Sequence, residues 1–126
     1  MAYDEGIQTY SMPANADLSA SQYCMVSINS SGNIAVTGDG ARADGVLYNK
    51  PAAAARSGEV ALSGLVKMKF GASINPGSEF ASDASGRAVA VATSDEPCGV
   101  VVSDGGAANA IGTVIFNPMM QTTAAA

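Results

Sequence analysis

Histidine and tryptophan are absent from this chain of 126 residues. Without histidine, the sequence lacks the usual general base, the Ser-His-Asp triad and the commonest transition-metal ligand. No phosphate-binding loop or dinucleotide motif lies between a strand and a helix, so nucleotide chemistry has no support. We therefore predict a protein that is not an enzyme and that needs no metal or cofactor.

The carboxylates do not form a catalytic or calcium-binding set. Asp4-Glu5 and Asp95-Glu96 are adjacent pairs beside loop residues. Neighbours on an extended chain point apart, which favours solvated charges over the paired carboxylates of a glycosidase. The acidic segment 39–44 has too few oxygen ligands for a calcium loop.

Charge and long apolar runs are also scarce. Charged residues make up 13% of the chain, and eleven acidic residues outnumber six scattered basic ones. A net charge of −5 argues against a surface that follows nucleic-acid phosphates. No run approaches the ~20 apolar residues of a membrane span, and the first residues lack the pattern of a secretion signal. We expect synthesis in a cytoplasm, and neither a nucleic-acid partner nor a membrane partner.

Cys24 and Cys98 are the only cysteines. Two thiols make no disulfide framework, and their spacing is not that of a metal site. Burial of both as small apolar side chains is the favoured interpretation, and a bridge between them is the alternative.

The most informative pattern is a repeat at a fixed offset of 54 residues. Residues 31–64 align without a gap on residues 85–118, with eight identities in 34 positions. In each copy a Ser-Gly turn is followed by two glycines at intervals of 13 residues, and each of these opens an apolar run. Glycine is the default where the chain needs positive φ or a bulge, so equal spacing predicts equal turns. The predicted structural glycines are Gly32, Gly45 and Gly58, matched by Gly86, Gly99 and Gly112.

Strand and turn signals alternate along the whole chain. Short strands are predicted at residues 23–28, 34–37, 45–49, 79–82, 88–92, 99–103 and 113–117. In the first of them, Cys24, Val26 and Ile28 share one face and are expected in the core. Alternating apolar residues over 59–70 predict one longer strand with a bend at Gly64.

The predicted fold class is all-β. We expect a small β-barrel or β-tulip-like sandwich with an internal two-fold repeat. One helical turn fits residues 51–56, where proline precedes four alanines, and a looser loop is expected at residues 105–110. At most one or two short helical turns are therefore expected in all.

Three segments are predicted from the changes in composition. Residues 1–22 form an N-terminal arm that contains a short strand at residues 6–10, unpaired within the domain. Residues 23–118 form the β-domain, and residues 119–126 form a flexible tail.

Six motifs, in their order and spacing, resemble those of small capsid decoration proteins of tailed bacteriophages. They occupy residues 5–10, 45–47, 58–64, 75–86, 98–102 and 112–116. Within that group the chain is most similar to the DUF2190-like domain encoded in phage head gene clusters, over about residues 3–118. It is also similar to lambda-type head stabilisation proteins in size and expected fold.

The resemblance implies a structural role on the outer surface of a phage head. The implied protein is a homotrimer at three-fold and quasi-three-fold positions, where it holds neighbouring major capsid protein subunits together. It would be made in the host bacterial cytoplasm and reside on the virion surface. No catalytic residues are implied. The residues implied as a capsid-binding arm are Glu5, Gly6, Ile7, Gln8, Thr9 and Tyr10.

Two alternatives remain at this point. The first is another phage structural component, such as a tail or fibre protein. The second is a carbohydrate-binding β-sandwich, which would need exposed aromatic platforms. The phenylalanines Phe70, Phe80 and Phe116 fall mainly on core-facing positions and would not supply them.

Overall fold

The computed structural model describes residues 7–117, which form ten β-strands and no helix. The strands are β1 (Thr9–Pro13), β2 (Met25–Ile28), β3 (Ile34–Val36), β4 (Gly45–Leu47), β5 (Ser57–Ala61), β6 (Gly64–Lys69), β7 (Glu79–Ser82), β8 (Ala88–Ala90), β9 (Gly99–Ser103) and β10 (Ile111–Phe116). The prediction of an all-β fold made of short strands is confirmed.

The strands form two five-stranded antiparallel sheets. The first has the order β1-β5-β4-β2-β3, and the second has the order β6-β10-β9-β7-β8. A barrel would require the edge strands of a sheet to pair with each other. Here β1 and β3 lie at opposite edges, as do β6 and β8. The predicted sandwich is therefore consistent with the structure, whereas the sheets do not close into a barrel.

The second sheet repeats the first, strand for strand. β2 to β5 each begin 54 residues before their counterparts β7 to β10. β1 and β6 correspond at an offset of 56, because Met12 pairs with Gly58 and Met68 pairs with Gly112. The connection after β1 is thus two residues longer than the connection after β6. We call residues 9–62 the first repeat and residues 65–116 the second repeat.

Backbone angles support the same equivalence. Four pairs of residues 54 positions apart have positive φ in both members. They are Tyr23 and Gly77 (66° and 89°), Gly32 and Gly86 (81° and 79°), Gly40 and Ser94 (67° and 73°), and Ala55 and Asn109 (70° and 69°). Residues other than glycine seldom adopt this conformation. Its occurrence at matching sites therefore reflects one shared chain path, and the predicted internal repeat is confirmed.

The six predicted glycines occupy matching positions in the two repeats. Gly32 and Gly86 lie in equivalent turns with positive φ. The other two pairs lie within strands: one pair begins β4 and β9, and the other is the second residue of β5 and of β10. Equal spacing therefore reflects one shared turn and two shared positions on strands.

Residues 59–70 were expected to form one strand, and this prediction is wrong. β5 ends at Ala61, and β6 begins at Gly64, where φ is 111°. Between them Leu62 and Ser63 carry the chain from the first sheet to the second. Apolar residues continue to alternate across this connection, so the pattern does not reveal that the chain changes sheets.

The expected helical turn at residues 51–56 is a non-helical turn instead. Residues 53–56 and 107–110 have the same bend and turn. In each, the residue with positive φ donates its N–H to the chain just after the repeat's first strand: Ala55 to the Ala14 carbonyl at 2.8 Å, and Asn109 to the Phe70 carbonyl at 2.7 Å. These bonds fix both loops equally, although only one contains proline and four alanines.

The N-terminal strand is paired, contrary to the expectation. It lies at residues 9–13 and pairs with β5 along its whole length. The chain that follows contributes Ala14 and Leu18 to the core, so burial of these residues anchors the segment. Residues 1–6 lie outside the described residues, and so does the predicted flexible tail at 119–126.

Each sheet has one face covered by an equivalent set of apolar residues. The first set is Ala14, Leu18, Val26, Ile34, Leu47 and Val60, and the second is Phe70, Ile74, Phe80, Ala88, Val101 and Val114. The second set is continuous with Met25, Val46 and Ala61 from the opposite face of the first sheet. The first sheet therefore has buried apolar residues on both of its faces. The three phenylalanines are all buried in the larger cluster, as expected.

Candidate assembly surfaces

The described residues offer little for covalent or metal chemistry. Residues 7–117 contain no group of three or more potential metal-ligating side chains. They also contain no helix of the length and hydropathy needed to cross a membrane. Cys24 and Cys98 are both free and buried, so they are not bridged. Burial raises the pKa of both thiols, which keeps them protonated and poorly nucleophilic.

A polar cavity of about 300 Å³ lies where the two repeats meet. Its lining residues are Ala20, Ser21, Cys24, Lys69, Ser85, Arg87 and Asn109. Arg87 already pairs with Asp83 at 2.9 Å and donates to Asn109 Oδ1 at 3.0 Å. The Lys69 backbone N–H donates to the Tyr23 carbonyl at 2.8 Å. The Lys69 bond joins the two repeats, whereas both Arg87 bonds lie within the second repeat. We assign the cavity no ligand.

The edge strand β1 contains Thr9 and Tyr10, two of the four described members of the predicted capsid-binding arm. Within residues 7–117, its outer edge pairs with no other strand. Ile7 is half-buried against the larger core cluster, and the Gln8 carbonyl accepts the Leu62 N–H at 2.8 Å. Thr9 and Tyr10 pair with β5. The described members of the predicted arm are thus fixed to the first sheet.

The remaining two predicted arm residues, Glu5 and Gly6, lie outside the described residues. The outer edge of β1 ends at Pro13, which has no N–H to donate. The open main-chain edge available to a partner strand is therefore short.

Three large apolar side chains are exposed among the described residues. Tyr10 is 62% exposed, Ile28 47% and Ile115 46%. Tyr10 and Ile28 lie on the same face of the first sheet, because each is two residues from a side chain packed on that face, Met12 and Val26 respectively. Exposed apolar surface of this kind often marks an interaction site.

The third residue, Ile115, lies on the outer face of the second sheet. Its register partners on the neighbouring strands are Val100 and Leu65, which are both half-buried. Together these three residues form an apolar strip across three strands.

Sequence reasoning did not identify these surfaces. Ile28 was expected in the core with Val26, yet it extends beyond the edge of the apolar cluster and is exposed. For Ile115 a signal exists, since it alternates with the buried Val114 and Phe116 and must face the opposite side. Whether that opposite side is covered depends on how the sheets pack, and the strand pattern does not contain this information.

No protein-family model and no curated protein matches the chain. Among solved structures, the chain is similar to the head fiber gp8.5 N base of bacteriophage phi29. The TM-score is 0.66 at 15% sequence identity, over 89% of this chain and 95% of that chain. At this identity the similarity is one of fold, and it spans nearly the whole length of both chains. The DUF2190-like resemblance stays a prediction.

Proposed function

We propose that this chain is a non-enzymatic structural protein of a bacteriophage virion. It binds the outer surface of the capsid as a homotrimer at three-fold and quasi-three-fold positions, and it holds major capsid protein subunits together. The observation that carries the proposal is the fold shared with the base of a phage head fibre over 89% of this chain. The motif order of the sequence, which resembles that of capsid decoration proteins, supports the same role.

The surface suits binding to a protein lattice. Only 13% of the residues are charged, and the net charge is −5, so the surface has little attraction for nucleic acid. Edge strands bind partners through main-chain hydrogen bonds, and β1 is such a strand. We propose that Glu5 and Gly6, together with the outer edge of β1, contact the capsid protein. Three such contacts in one trimer would reinforce one another through their high effective concentration.

A binding experiment with undecorated phage heads tests this function. Purified protein is mixed with heads that lack it, and the heads are sedimented and imaged by cryo-electron microscopy. The expected result is saturable co-sedimentation and a protruding knob at three-fold and quasi-three-fold positions. Absence of binding at saturating protein, or density on the tail or inside the shell, would refute the proposal.

A second candidate function is the base of a head fibre. The observation in its favour is that the similar solved structure is itself described as a fibre base. The same images discriminate between the two, because a fibre base would carry elongated density that projects beyond the knob. A decoration protein would end at the knob.

The carbohydrate-binding alternative has less support. Phe70, Phe80 and Phe116 are buried, and the rings of Tyr23 and Tyr48 pack edge to face on each other at 5.2 Å. Among the residues that the structure describes, Tyr10 is the one strongly exposed aromatic side chain. A single ring does not form the extended platform on which a sugar chain stacks.

A further inference from the structure

The two repeats contact each other through two different surfaces. On the first repeat, the contact surface is a row of side chains across the sheet, formed by Met25, Val46 and Ala61. Met25 pairs with Val46, Val46 pairs with Ala61, and all three are fully buried. We call this row the receiving surface, because the second repeat packs onto it.

The second repeat contributes the face of its sheet that does not correspond to the receiving surface. Val66 and Phe116 belong to the same buried cluster as the receiving surface. Beside them, the Ser82 carbonyl accepts the Gly40 N–H at 2.8 Å, and Ser82 Oγ donates to the Thr37 carbonyl at 3.3 Å. We call Val66, Ser82 and Phe116 the covering surface. The contact is thus head-to-tail, since a covering surface meets a receiving surface.

The internal contact uses only one surface of each repeat. It leaves a receiving surface unused on the second repeat and a covering surface unused on the first. On the second repeat, the equivalent of the receiving surface is Glu79, Val100 and Ile115, which pair in the same register. On the first repeat, the equivalent of the covering surface is Tyr10, Ile28 and Leu62. Tyr10 corresponds to Val66 because Tyr10 pairs with Val60 and Val66 pairs with Val114, the counterpart of Val60.

The three exposed large apolar residues all lie on these unused surfaces. Their counterparts in the internal contact are buried: Tyr10 is 62% exposed against 0% for Val66, Ile28 47% against 0% for Ser82, and Ile115 46% against 0% for Ala61. Scattered apolar exposure would not select these three positions. Each side chain is exposed because no other repeat of the described chain packs on its surface.

A glycine pair at the same contact shows the same difference. Gly86 is buried, its carbonyl accepts the Met25 N–H at 2.7 Å, and a Cβ placed on it would lie 2.7 Å from the Met25 carbonyl oxygen. Gly32 has an equivalent backbone conformation, but a Cβ there would have no atom within 4 Å. The first repeat therefore keeps the shape of the covering surface without its partner.

From this pattern we infer that a second copy of this chain occupies the unused surfaces, head-to-tail. Tyr10, Ile28 and Leu62 of one copy cover Glu79, Val100 and Ile115 of the next, as the second repeat covers the first within the chain. A heterologous contact of this kind either closes into a ring or grows into a filament. The inference assigns contact surfaces to the proposed homotrimer and rests on the proposed function only for the number three.

The contact between copies lacks some of the polar bonds of the internal contact. Within the chain, the N–H groups of Lys67 and Lys69 donate to Tyr48 Oη at 2.7 Å and to the Tyr23 carbonyl at 2.8 Å. The counterpart of Lys69 is Pro13, which has no N–H, and the counterpart of Tyr48 is Val102, which has no hydroxyl. We therefore expect the copies to associate reversibly.

Charged substitutions on each surface test the inference without any capsid. One variant carries Tyr10→Asp and Ile28→Asp on the unused covering surface, and another carries Ile115→Asp on the unused receiving surface. Ala54→Asp is the control, since Ala54 and its counterpart Ala108 are both exposed and so lie outside the internal contact. Sedimentation velocity measures the mass distribution from about 1 μM to about 1 mM protein.

Wild type is expected to exceed the 12.5 kDa of one chain increasingly as concentration rises. The two surface variants should weaken association at least about tenfold, and the control should change it less than about twofold. A mixture of the two variants should form a one-to-one dimer that does not grow, because one intact surface of each kind remains. Far-UV circular dichroism checks folding, and the milder Tyr10→Ser and Ile115→Thr replace any variant that unfolds.

Four results would overturn the inference. The first three are a monomeric wild type up to the highest concentration, a control that weakens association as much as the surface variants, and two variants that associate poorly alone and do not pair when mixed. The fourth is weaker association in only one of the two variants, which is the result that a contact between like surfaces would give. None of these measurements involves heads, so failure of head binding and failure of self-association are separate outcomes.

Discussion

Glycines that are equivalent by repeat are not equally constrained by their surroundings. A Cβ on Gly58 would lie 2.7 Å from Ile34 Cδ1 and 3.1 Å from Leu47 Cδ1, which are the ends of flexible side chains. A Cβ on Gly112 would meet the Ser103 carbonyl oxygen and lie 2.8 Å from the Gly105 nitrogen. Side chains can rotate away from a new methyl group, whereas two backbone segments cannot.

We therefore expect unequal effects of alanine at these two sites. Gly112→Ala should lower the free energy of unfolding by about 3 kcal/mol, and Gly58→Ala by about 1 kcal/mol, since overpacking costs more where the neighbours cannot yield. Urea denaturation of both variants beside wild type measures the difference. Equal losses would show that the backbone around Gly112 moves as easily as the side chains around Gly58.

A second prediction at this scale concerns Asp104. Its carboxylate accepts the Ser73 hydroxyl at 2.5 Å and the N–H groups of Gly106 and Ile74 at 3.0 and 3.2 Å. These bonds, the one from Ser73 foremost, hold the pKa of Asp104 below the ordinary value of an aspartate. Because the pKa is lower in the folded state, the ionised group stabilises the fold above about pH 4. That contribution is lost as pH falls through the lowered pKa.

Replacement by asparagine should remove this dependence on acid. Between pH 5 and pH 2.5, roughly the range in which carboxylates titrate, the urea midpoint of Asp104→Asn should fall less than that of wild type. The difference will be small, because Asp104 is only half-buried and water screens its interactions. Asp39→Asn, at an exposed aspartate, is the control. Parallel pH profiles for Asp104→Asn and wild type would contradict the assignment.

At the scale of elements, the edge strand β1 limits how the proposed arm can be tested. Deletion of residues 2–6 leaves Ile7 and all of β1 in place. The free energy of unfolding should then change by less than about 0.5 kcal/mol, while attachment to heads should weaken at least about tenfold. Removal of residues 121–126 is the control. Unchanged attachment after deletion of residues 2–6 would move the capsid contact onto the sheets.

A longer deletion should damage the domain itself. Removing residues 2–12 eliminates most of β1, its pairing with β5 and the packing of Met12. At roughly 0.5–1.5 kcal/mol net for each lost hydrogen bond, we expect about 3 kcal/mol of destabilisation. Thermal unfolding of the two truncated proteins distinguishes the strand from the residues before it. If both truncated proteins are as stable as wild type, β1 does not contribute to the stability of the fold.

Most strands could be predicted from sequence because their signals are local. The third strand of each repeat, β3 and β8, follows a Ser-Gly turn that is visible in the sequence. β1 lies three residues later than predicted, since its position is decided by pairing with β5, which is distant in sequence. The junction at Leu62 and Ser63 was missed because the alternation of apolar residues shows on which face of a sheet each side chain lies. It does not show to which sheet the strand belongs.

For the whole molecule, the contact between repeats predicts a single unfolding transition. Backbone bonds and one apolar cluster cross from one repeat to the other, so unfolding of either sheet would expose buried apolar side chains of the other. Tyr23 and Tyr48 stand at this junction, and tyrosine fluorescence therefore reports on it. Its urea transition should coincide with that of far-UV circular dichroism. Two separated transitions would show that the repeats are independent units.

The repeat could be predicted from eight identities, but the assembly surfaces could not. Glycine spacing recurs in the two repeats at one turn and at two strand positions, and this revealed that two sets of strands follow the same path. Which face of each sheet is covered depends on the packing of one repeat on the other. Ile115 and Ala61 occupy equivalent positions in sequence, yet one is exposed and the other is buried. Only the three-dimensional arrangement distinguishes them.

The connection between the repeats has a consequence for gene fusion. Leu62 and Ser63 alone span the step from one sheet to the next. In a head-to-tail assembly, the end of β10 in one copy stands in the same relation to the start of β1 in the next copy. Copies could then be joined in tandem through an equally short linker, at the same contact. The proposed homotrimer contains six repeats. Two copies of a fused chain with three repeats would supply the same six, so the number of chains would change while each repeat still packed on the next.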